Sequence, residues 1–140
     1  MKKNKITKED LVNQIENWRK RLSDLYSIIT EWLKDDKRYS VKTTDTVQIY
    51  EELMQKYKIN PQNFPVADIL KNGKLILSIK PFGLWVIGAN GRIDIITGKG
   101  SQMLTDMSEQ FQAPQWTVFS PKNRRKGLPF TKDYLLGIMQ

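Results

Sequence analysis

The sequence predicts an α+β domain in which two N-terminal helices pack on an antiparallel meander of four or five strands, closed by a short C-terminal helix. Three observations carry that expectation. Apolar residues recur at alternating spacings of four and three from Leu11 to Trp32, the period of a helix seam. Strand formers crowd between Lys74 and Thr97 in short runs bounded by turn residues. Threonines stand where helix caps belong, at Thr7 and Thr131.

The first helix is the best specified element. Thr7 has the profile of an N-cap, Asp10 completes a capping box, and Ile6 and Leu11 are spaced as a hydrophobic staple. The helix therefore starts at Lys8 and runs to about Lys34, roughly 40 Å at about 1.5 Å per residue. Its seam is Leu11, Ile15, Trp18, Leu22, Leu25, Ile29 and Trp32, widened near the end by Tyr26, Ile28 and Leu33. Two readings fit such a seam: packing within the chain's own core, or a coiled-coil interface through Leu11, Ile15, Trp18 and Leu22, with a second copy or another protein. The tryptophans speak against a regular two-stranded coil, whose holes suit Leu and Ile.

Residues 35 to 45 read as a polar connection. Thr44 or Asp45 then caps a second helix with Val47, Tyr50, Leu53, Met54 and Tyr57 on its buried stripe, ending by Asn60-Pro61 because a residue before proline leaves the α region. The helical part is thus 8–58, and INPQNFP is a rigid linker into the sheet, 66–120. Val66 to Leu70 form the first strand. Asn72-Gly73 turns it back, pairing Leu70 with Leu75 and Ile69 with Ile76 and setting Lys71 opposite Lys74. Asn90-Gly91 is the sharpest hairpin signal, because a type I′ turn needs positive φ at both central residues. It predicts Ala89 facing Arg92, Gly88 facing Ile93, Ile87 facing Asp94, Val86 facing Ile95 and Trp85 facing Ile96, a hairpin apolar enough to require cover on both faces. Residues 98 to 114 have no clear period and allow a helical turn around Ser101 to Met107. Gln115 to Phe119 form the last strand, with Trp116 and Val118 on one face and Thr117 and Phe119 on the other. SPKNRRKGLP follows as an exposed basic loop, and Thr131 caps a final helix, so that 131–139 closes a single domain of 1–140.

Composition excludes much chemistry. The chain has no cysteine and no histidine, which removes disulfides, thiolate metal sites, thiol catalysis and every triad that depends on imidazole. No apolar run approaches the roughly 18 residues of a membrane span, and the basic start has no apolar stretch behind it, so a soluble cytoplasmic protein is expected. Net charge is +8, unevenly placed: residues 1–70 carry 13 Lys and Arg against 11 Asp and Glu, residues 71–140 carry 10 against 4. A basic excess suits a phosphate-bearing partner, and it also serves solubility alone.

Three constellations bear on function. Asp94 is the most unusual carboxylate, set inside an apolar strand opposite Ile87, a weak catalytic candidate whose bland alternative is pairing with Arg92 two residues away; Asp68 and Lys74 are its nearest companions on strands for a nuclease-like site, at no recognisable spacing. GANG and TGKGS are short of any phosphate-loop pattern, although Lys99 among small residues after a strand suits an anion. Lys122, Arg124, Arg125 and Lys126 lie beside a strand carrying Trp116 and Phe119, and charge with stacking rings is what single-stranded nucleic acid requires. The function expected is a non-catalytic binding or interaction module within a larger assembly. The alternatives are a basic protein binding single-stranded nucleic acid or RNA, and a small carboxylate-dependent enzyme whose oxygen ligands would suit Mg²⁺. No cofactor or resident metal is expected, and no membrane partner.

Overall fold

Thr7 Oγ1 accepts the Asp10 N–H at 3.1 Å while the Asp10 carboxylate accepts the Thr7 N–H at 2.9 Å, closing the capping box and starting α1 (Lys8–Leu33) where the sequence places it. This computed structural model describes residues 6–86, 89–109 and 112–140. Leu11, Ile15, Trp18, Leu22, Leu25 and Ile29 are each at most 3% exposed, buried in the core of their own chain. The four residues offered as an interface, Leu11, Ile15, Trp18 and Leu22, therefore present no free seam to a partner. Each large apolar side chain removed from water contributes about 1.5 to 3 kcal/mol, which is why the stripe turns inward.

After α1 come β1 (Tyr39–Lys42), β2 (Thr46–Ile49), α2 (Glu52–Lys56), β3 (Gln62–Pro65), β4 (Ala67–Lys71), β5 (Lys74–Gly83), β6 (Arg92–Thr97), β7 (Gly100–Asp106), β8 (Trp116–Ser120), β9 (Asn123–Pro129) and α3 (Lys132–Ile138). Seven strands form one antiparallel sheet in the order β1-β4-β5-β6-β7-β8-β9, and β2 pairs with β3 in a separate ribbon. The expected architecture is corrected on both counts. There is one long N-terminal helix where two were expected, and a seven-stranded sheet plus a ribbon where a meander of four or five was expected.

Each correction has a physical cause. Val47, Tyr50, Leu53, Met54 and Tyr57 fit a helical stripe, but Val47 and Ile49 also alternate, and pairing with Phe64 and Gln62 satisfies the backbone across β2 and β3. Only Glu52–Lys56 remain helical. The linker INPQNFP supplies β3, with Pro65 at its end, where an edge strand tolerates proline. β7 replaces the helical turn around Ser101 to Met107. Its inward positions are Gln102, Leu104 and Asp106, two of them polar, so no apolar alternation announced it. Tyr134 Oη donates to Gln102 and Arg21 donates to Asp106, which satisfies both from distant parts of the chain.

The Asn72-Gly73 turn forms with φ of +51° and +79°, and Leu70 pairs with Leu75. A bulge follows, so Ile69 meets Leu77 in place of Ile76. Lys71 does face Lys74, and its Nζ lies 5.8 Å from the centroid of the Tyr39 ring, a cation–π contact that relieves the crowding of charge. The Asn90-Gly91 hairpin does not form as expected. β5 runs on through Pro81, and Ile79 pairs with Ile95, Lys80 with Asp94, Pro81 with Ile93 and Gly83 with Arg92. Leu84 and Trp85 lie outside any strand, Val86 bridges Ala89, and Ile87 and Gly88 lie outside the described residues, as do Gln110 and Phe111 of the expected 98–114 segment. Asn90 keeps a negative φ because its own groups are engaged elsewhere: its N–H donates to Asp106 O at 2.8 Å and its side-chain amide donates to Ser108 O. Gly91 is at φ +110°, and a Cβ there would meet the Trp18 ring at 2.3 Å. It is glycine so that the helix can approach.

Thr131 Oγ1 accepts the Tyr134 N–H at 3.1 Å and caps α3 as expected. Phe130 joins α3 to α1, its ring 5.5 Å from that of Trp32 and 6.4 Å from that of Tyr134. Burial holds the Tyr134 hydroxyl above its ordinary range.

Candidate functional site

Strand alternation sorts the sheet into two faces. Leu77 and Ile79 of β5, Ile93 and Ile95 of β6, Leu104 of β7 and Val118 of β8 point toward α1 and are buried. The outward positions between them are Ser78, Lys80 and Phe82, then Arg92, Asp94 and Ile96, then Met103 and Phe119. Among the described residues no helix covers this outer face. Phe82 is 57% exposed and Ile96 40%, so the expectation of cover on both faces is corrected. The face toward α1 is apolar, whereas the outer one mixes Phe82, Ile96 and Met103 with Lys80, Arg92 and Asp94.

The outer face brings together residues that the sequence left apart. Lys80, Asp94, Met103 and Phe119 are successive partners across β5, β6, β7 and β8. Arg92 Nε donates to Asp94 Oδ1 at 3.0 Å, and the guanidinium lies 4.4 Å from the Phe82 ring centroid. Asp94 is thus a partly exposed carboxylate tied to Arg92 and standing opposite Lys80 of β5. Arg92, Asp94, Met103, Phe119 and Arg124 line a single depression of about 160 Å³. Asp68 accepts from Ser78 Oγ at 2.6 Å and lines a neighbouring depression with Asp45, Leu75 and Lys80, whereas Lys74 sits at the Asn72-Gly73 turn. Among the described residues no three carboxylates gather to hold a metal.

The basic run is a strand, which corrects the exposed loop. Ser120 pairs with Asn123 around the tight turn Pro121-Lys122, and Val118 pairs with Leu128. Between those rungs β8 has only Phe119, while β9 has Arg124, Arg125, Lys126 and Gly127. The surplus forms a bulge at the sheet edge, and bulges re-aim side chains there. Lys122, Arg124, Arg125 and Lys126 are all exposed. Gly127 closes the bulge against the sheet: a Cβ would lie 2.2 Å from Thr117 Cγ2 and 2.8 Å from Phe119 Cζ.

Trp116 and Lys99 are placed elsewhere. Trp116 points to the helix side, half-buried, its ring 5.9 Å from that of Trp18, so it does not share a face with Phe119. Lys99 occupies the tight β6–β7 turn, its N–H donating to Thr97 Oγ1 at 3.1 Å and its Nζ to Gln140 O at 2.6 Å. The TGKGS segment is accounted for as a hairpin turn. Lys99 and Lys122 nonetheless stand in turns at the same end of the sheet, by the register of β7 with β8.

Arg21 and Asp106 were missed. Arg21, 5% exposed, gives Nη1 to the Asp106 carboxylate and to Ser108 Oγ, Nε to Asn17 Oδ1 at 2.7 Å, and Nη2 to Gln112 O. Asp106, fully buried, also accepts the Ser108 and Gln115 N–H groups at 3.0 and 2.9 Å. A signal for Arg21 existed: it stands three residues after Trp18 and four before Leu25, on the seam. Beside it a cleft of about 300 Å³ is lined by Gln14, Trp18, Trp85 and Asn90, with Trp85 Nε1 donating to Gln14 Oε1 at 2.6 Å. Nε and both Nη of Arg21 are engaged, so the pair is a clamp between α1 and the loop after β7. Tyr26 forms a second anchor, donating to Pro65 O at 2.7 Å; burial, with Asp68 nearby, holds its hydroxyl well above the ordinary tyrosine range.

No protein-family model, curated protein or solved structure matches this chain. No described helix is long and apolar enough to cross a membrane.

Proposed function

We propose that the protein is a non-catalytic binding module whose binding surface is the outer face of the seven-stranded sheet, serving as a component of a larger assembly. The observation that carries the reading is the exposure of Phe82, Leu75 and Ile96 on or beside a sheet whose other face is filled by α1. Exposed apolar surface framed by charge is the usual mark of an interaction site. The seam of α1 offers no comparable surface because its residues are buried. What supports a non-catalytic role is the state of the best catalytic candidate: Asp94 is held by Arg92 on an open face, and among the described residues no second carboxylate lines its depression.

The test is a photo-crosslinking amino acid placed at Phe82, with Ile28 on the solvent side of α1 as the comparison site; both are exposed. In cells that make the protein, a discrete adduct is expected from position 82 and none from position 28. Adducts of equal yield at both, or none at 82, overturn the assignment of the outer face.

A further inference from the structure

The charge and the rings of the outer face are not spread evenly, and their placement narrows the ligand. Of the four acidic residues in the basic second half of the chain, Asp106 is consumed by Arg21 and Asp94 by Arg92. The irregular stretch of β9 sets Arg124, Arg125 and Lys126 in the interval opposite Phe119, with Lys122 in the adjoining turn. A regular ladder would have spread these cations over several rungs of the edge, whereas here they stand opposite one residue. Phe119 is held in place by the backbone of Gly127, and Arg124 lines the same depression as Phe119. Phe82 stands at the other side of that face, one side of its ring covered by Arg92.

We infer that this face binds single-stranded nucleic acid, with phosphates along the β9 bulge and bases laid on Phe119 and Phe82. The inference rests on the reading of the outer face as the binding surface. Single strands are the class that uses both features: a cationic track for the backbone and sequence-tolerant stacking on accessible rings, of which Phe82 is exposed and Phe119 partly so. A duplex hides its base faces and would leave the rings unused, and an acidic peptide would need only the cations. The bland role of the same residues is protection, since lysines and arginines on an edge strand discourage pairing with another sheet.

The experiment is fluorescence anisotropy of the full chain with labelled oligothymidylate, oligouridylate and a duplex of equal length, titrated from about 50 mM salt upward. Single strands are expected to bind with a log-log salt slope of about −3, from about −0.7 for each of four phosphate contacts. Arg124→Ala with Arg125→Ala is expected to cut that slope by about half and to weaken all sequences alike. Phe82→Ala, at an exposed position, is expected to weaken binding by about five- to a hundredfold with the slope unchanged. Comparison of the thymidine and uridine strands assigns the ligand to DNA or RNA. Equal binding of the duplex, or affinity indifferent to Phe82, overturns the single-strand inference, as does failure of both strands to bind at about 50 mM salt, where the phosphate contribution is strongest. In those cases an adduct from position 82 still supports the outer face as a surface for another partner, and the cations revert to edge protection.

Discussion

Arg21→Met is the most direct test of how this molecule is held together. The substitution keeps most of the aliphatic stem and removes the guanidinium, and with it the bonds to Asn17, Asp106, Ser108 and Gln112. Asp106 remains, with no exposed surface and two backbone N–H donors from Ser108 and Gln115 but no counter-charge. Removing one partner of a buried pair costs about 3 to 5 kcal/mol, most of it the penalty of the stranded charge. The loss is a large part of the roughly 5 to 15 kcal/mol that holds a domain folded. Urea denaturation followed by tryptophan fluorescence measures it as a shift of midpoint at constant slope. A second substitution separates charge from packing. Asp106→Asn in the Arg21→Met background leaves an oxygen for the Ser108 and Gln115 N–H groups and strands no charge, so the double variant is expected to be more stable than the single by about 2 kcal/mol. A single variant within about 1 kcal/mol of the parent, or a double variant less stable than the single, refutes the clamp.

Two further outcomes follow from local geometry. Gly91→Ala places a Cβ within 2.3 Å of the Trp18 ring at a φ of +110°, and is expected to destabilise by about 2 kcal/mol or more; an unchanged melting temperature would mean that α1 does not pack there. Asp36, hydrogen-bonded first by the Arg38 side chain and then by the Arg38 N–H, has its carboxyl lowered to about 2 from an ordinary 3.8. Because the folded value is the lower one, its contribution to stability is present above 3.8 and is lost as pH falls through about 2. Titration of the Asp36 carboxyl carbon by NMR should show that midpoint, and Arg38→Gln should move it up toward 3.8; a wild-type midpoint already at 3.8 would show that the pair does not form in solution.

What the sequence determined by itself is what a few consecutive residues settle among themselves. Thr7 and Asp10 close their box within one turn, the seam from Leu11 to Ile29 needs only the helical period, Asn72-Gly73 supplies positive φ locally, and Thr131 caps α3 three residues ahead of its donor. The candidate residues were legible to the same extent: charge and rings near residue 120 are visible in any reading of the chain, and strand alternation already splits Trp116 from Phe119, but it does not say which face meets the helix and which the charge. Tertiary structure decided that, turning Trp116 toward Trp18 and leaving Phe119 beside Arg124. It also decided that β7 is a strand, because the inward polar groups Gln102 and Asp106 are satisfied by Tyr134 and Arg21, 32 and 85 residues away. Asn90-Gly91, the strongest local turn signal, yielded to the same kind of distant contact, because Asn90 gives its N–H to Asp106 O and its side-chain amide to Ser108 O, and Gly91 leaves room for the Trp18 ring. Hydropathy records whether a side chain prefers water, and it holds no information about a partner that only folding brings within reach.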